Sequence, residues 1–181
     1  MWKRIILVLL LTFSFNFSNI DIANASALNS FVNTTKGYEF LYPNGWVKVK
    51  VKDGPDVVFH DIIENSENIS VVISPVPGDQ TLLELGTPSE VGYKLGKNAL
   101  APEGSGRKAE LINAAQREVD GKTYYALEYQ IKLSNGRKRH NISNVAVSRG
   151  KLFTLNASVS ERRWRKVKNL IEGSVNSFSV Y

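Results

Sequence analysis

The stretch from Thr123 to Val159 constrains this chain more than any other part of it. Three runs rich in β-branched and aromatic residues are separated there by Asn135-Gly136 and by Arg149-Gly150. Asn-Gly between such runs is a strong hairpin signal, because a two-residue type I′ turn needs positive φ at both central positions. The stretch therefore predicts a three-stranded antiparallel meander. With two-residue turns, Ser134 faces Arg137 across the first and Ser148 faces Lys151 across the second. Continued along the strands, the second count pairs Ala146 with Phe153, Ile142 with Ala157 and His140 with Val159. These side chains share one face with Leu155, and that face is expected to be buried. His140 then lies diagonally across from Glu161, roughly 7 Å away, a gap that long side chains close.

At 181 residues and 43% hydrophobic composition, the chain supports one core and one domain. It has no cysteine, which excludes disulfides, thiol catalysis and thiolate metal sites. The net charge of +6 points to acidic or anionic partners. Residues 1–27 have the layout of a secretory signal. Lys3-Arg4 precedes an apolar run from Ile5 to Leu11, and Ala23-Asn24-Ala25-Ser26-Ala27 offers cleavage after Ala25 or Ala27. A retained anchor is the alternative, although Ser14, Asn16 and Asn19 interrupt the apolar run. Residues 28–36 read as a short tail, and 37–181 as the folded domain.

Within that domain Tyr38, Phe40 and Tyr42 alternate as an opening strand, and Pro43-Asn44-Gly45 turns the chain. Trp46 then leads Val47, Val49 and Val51, alternating with Lys48, Lys50 and Lys52, which predicts a strand with a basic outer face. A further strand starts at Val57, and another from Ile69 is stopped by Pro75. Thr87-Pro88-Ser89-Glu90 is a capping box opening a helix with Val91, Leu95 and Ala99 inward. Residues 102–106 form a loop, and 109–119 a strand entering the Asp120-Gly121 turn. Ser160 caps a closing helix whose inner stripe is Trp164, Val167, Ile171, Val175 and Phe178. Arg162, Arg163, Arg165, Lys166 and Lys168 take its opposite face. The order of elements predicts an α+β fold: an α/β/α sandwich with a central, mainly antiparallel sheet flanked by helices.

GYEFLYPNGW at 37–46 resembles the opening of the PsbP family, extrinsic lumenal proteins of photosystem II. The likeness continues through Glu67 to Val71, Pro75-Val76, Arg139-His140, Gly150 to Phe153, Arg163-Trp164 and Ser177-Phe178, in the family's order. It implies a sandwich fold and no enzymatic reaction. The role it implies is at the lumenal face of photosystem II, supporting assembly or the calcium and chloride requirement of its oxygen-evolving complex. The short stretch before Gly37 is similar to the cyanobacterial branch. The lipid anchor often carried there is not expected without a cysteine. The expected place is the thylakoid lumen, peripheral on the membrane, as a monomer with photosystem II subunits and not nucleic acid as partners.

The residues themselves make enzyme chemistry poor. Only His60 and His140 are present, with no nucleophile elbow and no phosphate-cradling glycine loop. His140 and Glu161 offer one nitrogen and one carboxylate, and the corresponding positions in plant members have been discussed as metal ligands. Zinc, manganese or calcium are the ions to consider, though calcium wants more oxygens than any short motif here supplies. The plainer alternative is a hydrogen-bonded histidine near a helix start. A second candidate is basic: Lys132, Arg137, Lys138 and Arg139 flank one turn, Arg149 and Lys151 the other, and Arg162, Arg163, Arg165 and Lys166 open the closing helix. Clustered cations hold a local field where dispersed ones are screened, so they are the partner-binding candidates; an ordinary solvated face is the alternative.

Overall fold

The computed structural model describes residues 27–181; the signal expected over 1–27 lies, but for Ala27, outside them. In chain order the strands are β1 (Leu28–Asn33), β2 (Tyr38–Pro43), β3 (Trp46–Val49), β4 (Val57–Asp61), β5 (Asn68–Pro75), β6 (Lys108–Val119), β7 (Lys122–Lys132), β8 (Lys138–Ser148), β9 (Lys151–Ser160) and β10 (Ser179–Val180). Helices α1 (Leu82–Leu85) and α2 (Pro88–Leu95) fall between β5 and β6, and α3 (Glu161–Asn176) between β9 and β10. The main sheet has seven antiparallel strands in the order β3-β4-β5-β9-β8-β7-β6. One face carries α3 and a small sheet, β1-β2-β10. The other is covered over β6 and β7 by α1 and α2. This is the α+β sandwich predicted.

Turn chemistry sets the register. Between β8 and β9, Arg149 and Gly150 have φ of 51° and 65°, the left-handed pair a type I′ turn requires. Ser148 therefore faces Lys151, and Ala146–Phe153, Ile142–Ala157 and His140–Val159 are directly paired, as counted from the sequence. Between β7 and β8 the count differs. Gly136 N–H donates to Leu133 O, Leu133 N–H donates to Arg137 O, and Lys132 faces Lys138. Ser134, Asn135 and Gly136 thus make a three-residue loop, with only Gly136 left-handed at φ 78°. The expected Ser134–Arg137 pair is displaced by one residue.

Three other expectations are corrected. Residues 28–33 are not a tail: β1 pairs with β2 along its whole length, and Phe31 sits 5.4 Å from both the Phe40 and Phe59 rings. In β3 the inward side is that of Trp46, not the valines. Val47 is exposed, while Lys48 shares the Trp46 side and lies over the Phe31 ring. Ala99 is exposed, because α2 widens into a π turn over Gly96–Leu100 that rotates Leu100 inward in its place. The Thr87–Glu90 capping box forms as predicted, and a second, Thr81–Glu84, opens α1.

The His140 face holds the larger core, in which Phe153, Leu155, Ala157 and Val159 of β9 meet Trp164, Ile171 and Val175 of α3. Tyr125, Leu127, Tyr129 and Ile131 of β7 bury the opposite face against α1 and α2. Tyr125 and Tyr129 send their hydroxyls to the Gly86 and Gly92 carbonyls, so two buried phenols are satisfied where the helices cross the sheet.

Candidate functional site

His140 and Glu161 are brought together. The last residue of β9 is the N-cap of α3, so Glu161 enters the first helical turn directly beside β8, and its Oε2 stands 3.3 Å from His140 Nδ1. A residue missed by sequence reasoning completes the arrangement. Glu128, diagonal to His140 on β7, places Oε1 2.7 Å from His140 Nε2. The imidazole is 4% exposed and stacks on Trp164, with centroids 3.9 Å apart and planes 10° from parallel. Both ring nitrogens therefore face carboxylates, and only the protonated ring donates to both at once.

The two carboxylates lie against different ring nitrogens, whose lone pairs diverge. A metal at either nitrogen would meet one carboxylate, and among the described residues no group of three or more His, Asp or Glu converges to hold an ion. Two protein donors completed by water suit a weakly held transition metal and not calcium, which takes six to eight oxygens.

A second charged group anchors the start of α3. Glu67, 1% exposed, accepts the Ser160 N–H at 3.0 Å through Oε1 and pairs with Arg163 Nη1 at 3.0 Å through Oε2. Ser160 makes no side-chain cap, so a carboxylate from β4–β5 does the work that a glutamate three residues into the helix would otherwise do. Burial pushes the Glu67 carboxyl above its ordinary range, against the opposing pull of the Ser160 N–H and Arg163. Arg163 also reaches Asp61 Oδ2 at 3.4 Å. It is therefore not part of a free basic face.

Arg139 is likewise engaged, donating to Ser158 Oγ and O and to Ser66 O at 2.7–2.8 Å. Arg149 reaches the Lys36 carbonyl at 3.1 Å. Arg149 and Lys151 also sit at the far end of β8, ten residues from Arg139 and about 30 Å away at strand rise. The predicted basic set thus divides in two. At one end Lys132, Arg137, Lys138, Arg162, Arg165 and Lys166 are exposed, and none forms an ion pair with a described residue.

That end is richer than the sequence showed. Lys108 faces Lys132 and Lys132 faces Lys138, so three lysines stand directly opposite one another across three strands. Arg107 precedes them. Like charges directly opposite in neighbouring strands are destabilising. The sheet carries that cost with no described acidic side chain in the row.

The family model described as PsbP matches residues 26–180. CyanoP from Thermosynechococcus vestitus is 51% identical over 160 residues, which are 86% of this chain and 87% of that protein. CyanoP from Synechocystis sp. is 44% identical over 180 residues, covering 98% and 95%. The solution structure of cyanobacterial PsbP (CyanoP) from Synechocystis sp. aligns with a TM-score of 0.74 at 48% identity, covering 86% of this chain and 93% of that one.

Proposed function

From the premise that this chain belongs to the PsbP family, we propose that it is a non-enzymatic extrinsic accessory protein of photosystem II on the lumenal side of the thylakoid membrane. In this reading it supports assembly or stability of the oxygen-evolving complex and its calcium and chloride requirement. It docks electrostatically. The observation that carries the docking is the lysine row Lys108–Lys132–Lys138, backed by the unpaired Arg137 and Arg162. A strained row of like charges is relieved by an acidic partner, and exposed, clustered cations speed encounter with one. At about 0.15 M salt the Debye length is about 8 Å, so only such clustering keeps a field that reaches beyond the surface.

The test is to isolate the tagged chain from its native membranes at low salt and identify the subunits that come with it. Recovery of photosystem II subunits that leave in a high-salt wash is the expected result. Absence of any photosystem subunit at both salts would overturn the reading. Lys132→Glu with Lys138→Glu is expected to abolish retention without unfolding the chain, since both side chains are exposed.

A second reading, handling of zinc or manganese at His140 with Glu161, is favoured by their contact. Zinc would then raise the melting temperature in proportion to the logarithm of its concentration. The rise should vanish in His140→Ala and survive charge reversal at Lys132 and Lys138. No zinc dependence in the unaltered chain would rule this reading out.

A further inference from the structure

The face of the sheet away from His140 contains a cleft of about 750 Å³, bordered by Arg137, Lys138 and Arg162 of the docking surface. Its origin lies in strand alternation. Asn141 and Ser143 on β8, Asn156 and Ser158 on β9, and Asn68 and Ser70 on β5 alternate with the apolar residues of the His140 face. The α2 helix and its π turn cover the sheet as far as Leu100 and Ile131. Beyond that edge the strands present amides and hydroxyls, and no apolar stripe is left for a helix to pack on. The cleft opens there, walled on one side by Leu100, Ile131 and Leu133.

The floor is more ordered than a solvated sheet surface. Asn141 and Ser143 are 5% and 0% exposed. Ser143 Oγ donates to Asn156 Oδ1 at 2.9 Å, Asn141 Nδ2 to the same atom at 3.3 Å, and Ser158 Oγ to Asn141 Oδ1 at 2.9 Å. Asn156 Oδ1 is thus fully occupied, while its Nδ2 has no partner among the described residues and is left as a donor at the cleft surface. Around the floor stand Arg107, Arg137, Arg139 and Arg162. Burial disfavours the charge on Arg139 most, Glu67 and Glu64 oppose that, and Arg107 and Arg137 add to it by a smaller amount. Glu64 and Glu161 are the carboxylates of the lining, and Glu161 is already turned to His140.

We propose that this cleft seats an extended acidic peptide segment of a partner protein. Carboxylates of the segment meet Arg107, Arg137 and Arg162, a backbone carbonyl takes the Asn156 amide, and an aliphatic side chain lies on Leu100 and Ile131. The volume would hold about 25 waters at ~30 Å³ each, room for several residues rather than one oxyanion. A bare phosphate wants donors alone. The floor's amides offer donors and acceptors, the apolar wall asks for carbon, and both suit a peptide. This inference rests on the electrostatic docking reading and adds the ligand's chemistry and its seat, which Lys108 and Lys132 of the lysine row do not line and Lys138 does.

The probe is a fluorescein-labelled octapeptide alternating glutamate with leucine and serine, titrated into the full chain. Binding is read by anisotropy and by the side-chain amide resonances of Asn141 and Asn156. Two separate variants, Arg107→Glu with Arg162→Glu and the isosteric Asn156→Asp, are each expected to weaken binding by about tenfold or more, because a reversed or added charge near a carboxylate acts through Coulomb repulsion. Lys108→Glu with Lys132→Glu, neither of which lines the cleft, is expected to change it by less than about threefold. Unmoved Asn156 resonances, or affinity indifferent to the cleft variants, would overturn the proposal. So would inorganic phosphate that displaces the peptide and shifts the same amides, which would make this a small-anion site. Salt-reversible retention on photosystem II membranes is measured in parallel. Retention without peptide binding sinks this inference alone, and peptide binding without retention sinks the docking reading alone.

Discussion

Removing the buried carboxylate of Glu67 tests the account of how α3 is anchored. Glu67→Ala deletes the acceptor of the Ser160 N–H and one partner of Arg163, both at 3.0 Å. Breaking a buried ion pair from one side costs about 3–5 kcal/mol. Arg163 is 38% exposed and keeps Asp61, so the low end applies, about 3 kcal/mol. For a domain of this size each kcal/mol moves the melting temperature about 2–4 °C, which gives a fall of about 6–12 °C in a thermal melt followed by far-ultraviolet circular dichroism. Glu67→Gln sharpens the test. Because burial holds the folded carboxyl above its ordinary value, the native state binds more protons than the unfolded one in the window between the two values. The wild-type chain therefore loses stability as pH rises through that window, and the glutamine variant does not. The gap between them should be widest at acid pH and narrow toward neutrality. An alanine variant melting within about 2 °C of wild type, below the shift of even 1 kcal/mol, or a gap that widens with pH, would refute the reasoning.

Gly37 has φ +75°, and a Cβ there would lie 1.3 Å from Arg149 Nη2 and 2.6 Å from the Tyr181 carbonyl. Gly37→Ala is expected to cost about 2 kcal/mol or more, the left-handed penalty plus displacement of Arg149. Its effect in denaturant melts should be less than additive with Arg149→Ala, since the double variant removes the clash with Arg149 and keeps only that with the Tyr181 carbonyl. For Asp56, burial raises the carboxyl, but hydrogen bonds from Lys36, Tyr38 and Asn33 outweigh it and hold the group below its ordinary value. Its stabilisation is present above the ordinary carboxylate range and lost as pH falls through the folded value, so Asp56→Asn should flatten the acid limb of the urea midpoint against pH. His140→Ala orphans the Glu128 carboxylate and opens space against Trp164. A loss of about 2–3 kcal/mol is expected in the same melts, with the Glu128→Gln, His140→Ala double variant recovering part of it.

How far the site could be read from the chain turned on one residue of register. Arg149-Gly150 made the two-residue turn expected, and every pair counted from it across β8 and β9 is found. Asn135-Gly136 has the same composition signal but sits one position later in a three-residue loop, with Gly136 alone at positive φ. The slip matters because side chains alternate with period two. In the two-residue register Ile131 would oppose His140 and Glu128 would point to the other face. In the actual one Gln130 opposes His140 and Glu128 reaches its Nε2. Other elements escaped for different reasons. The burial of β1 follows no two-residue period, because it edges a small sheet and only Phe31 is drawn into the aromatic cluster. Arg139, Arg149 and Arg163 looked like their exposed neighbours in sequence. Only tertiary structure shows that Ser158, Lys36 and Glu67 hold them.

That division between held and free cations is what makes the basic end of the sheet suited to docking. Arg139 and Arg163 cross-link β8, β9, the β4–β5 turn and the start of α3, so the surface between them is fixed before any partner arrives. Arg107, Arg137, Lys138 and Arg162 are mounted on that frame with no described acidic partner, and an exposed cation that is not neutralised locally is one whose field reaches outward. Alternation on β8 then sends the two chemistries apart. His140 faces Glu128, Glu161 and Trp164 under α3, while Arg139 and Asn141, its neighbours in sequence, face the cleft on the other side. Substitutions at Arg107, Arg137 or Asn156 therefore leave the imidazole's contacts in place, and those at Glu128 or Trp164 leave the cleft lining in place. A single strand thus carries two surfaces that can be altered one at a time.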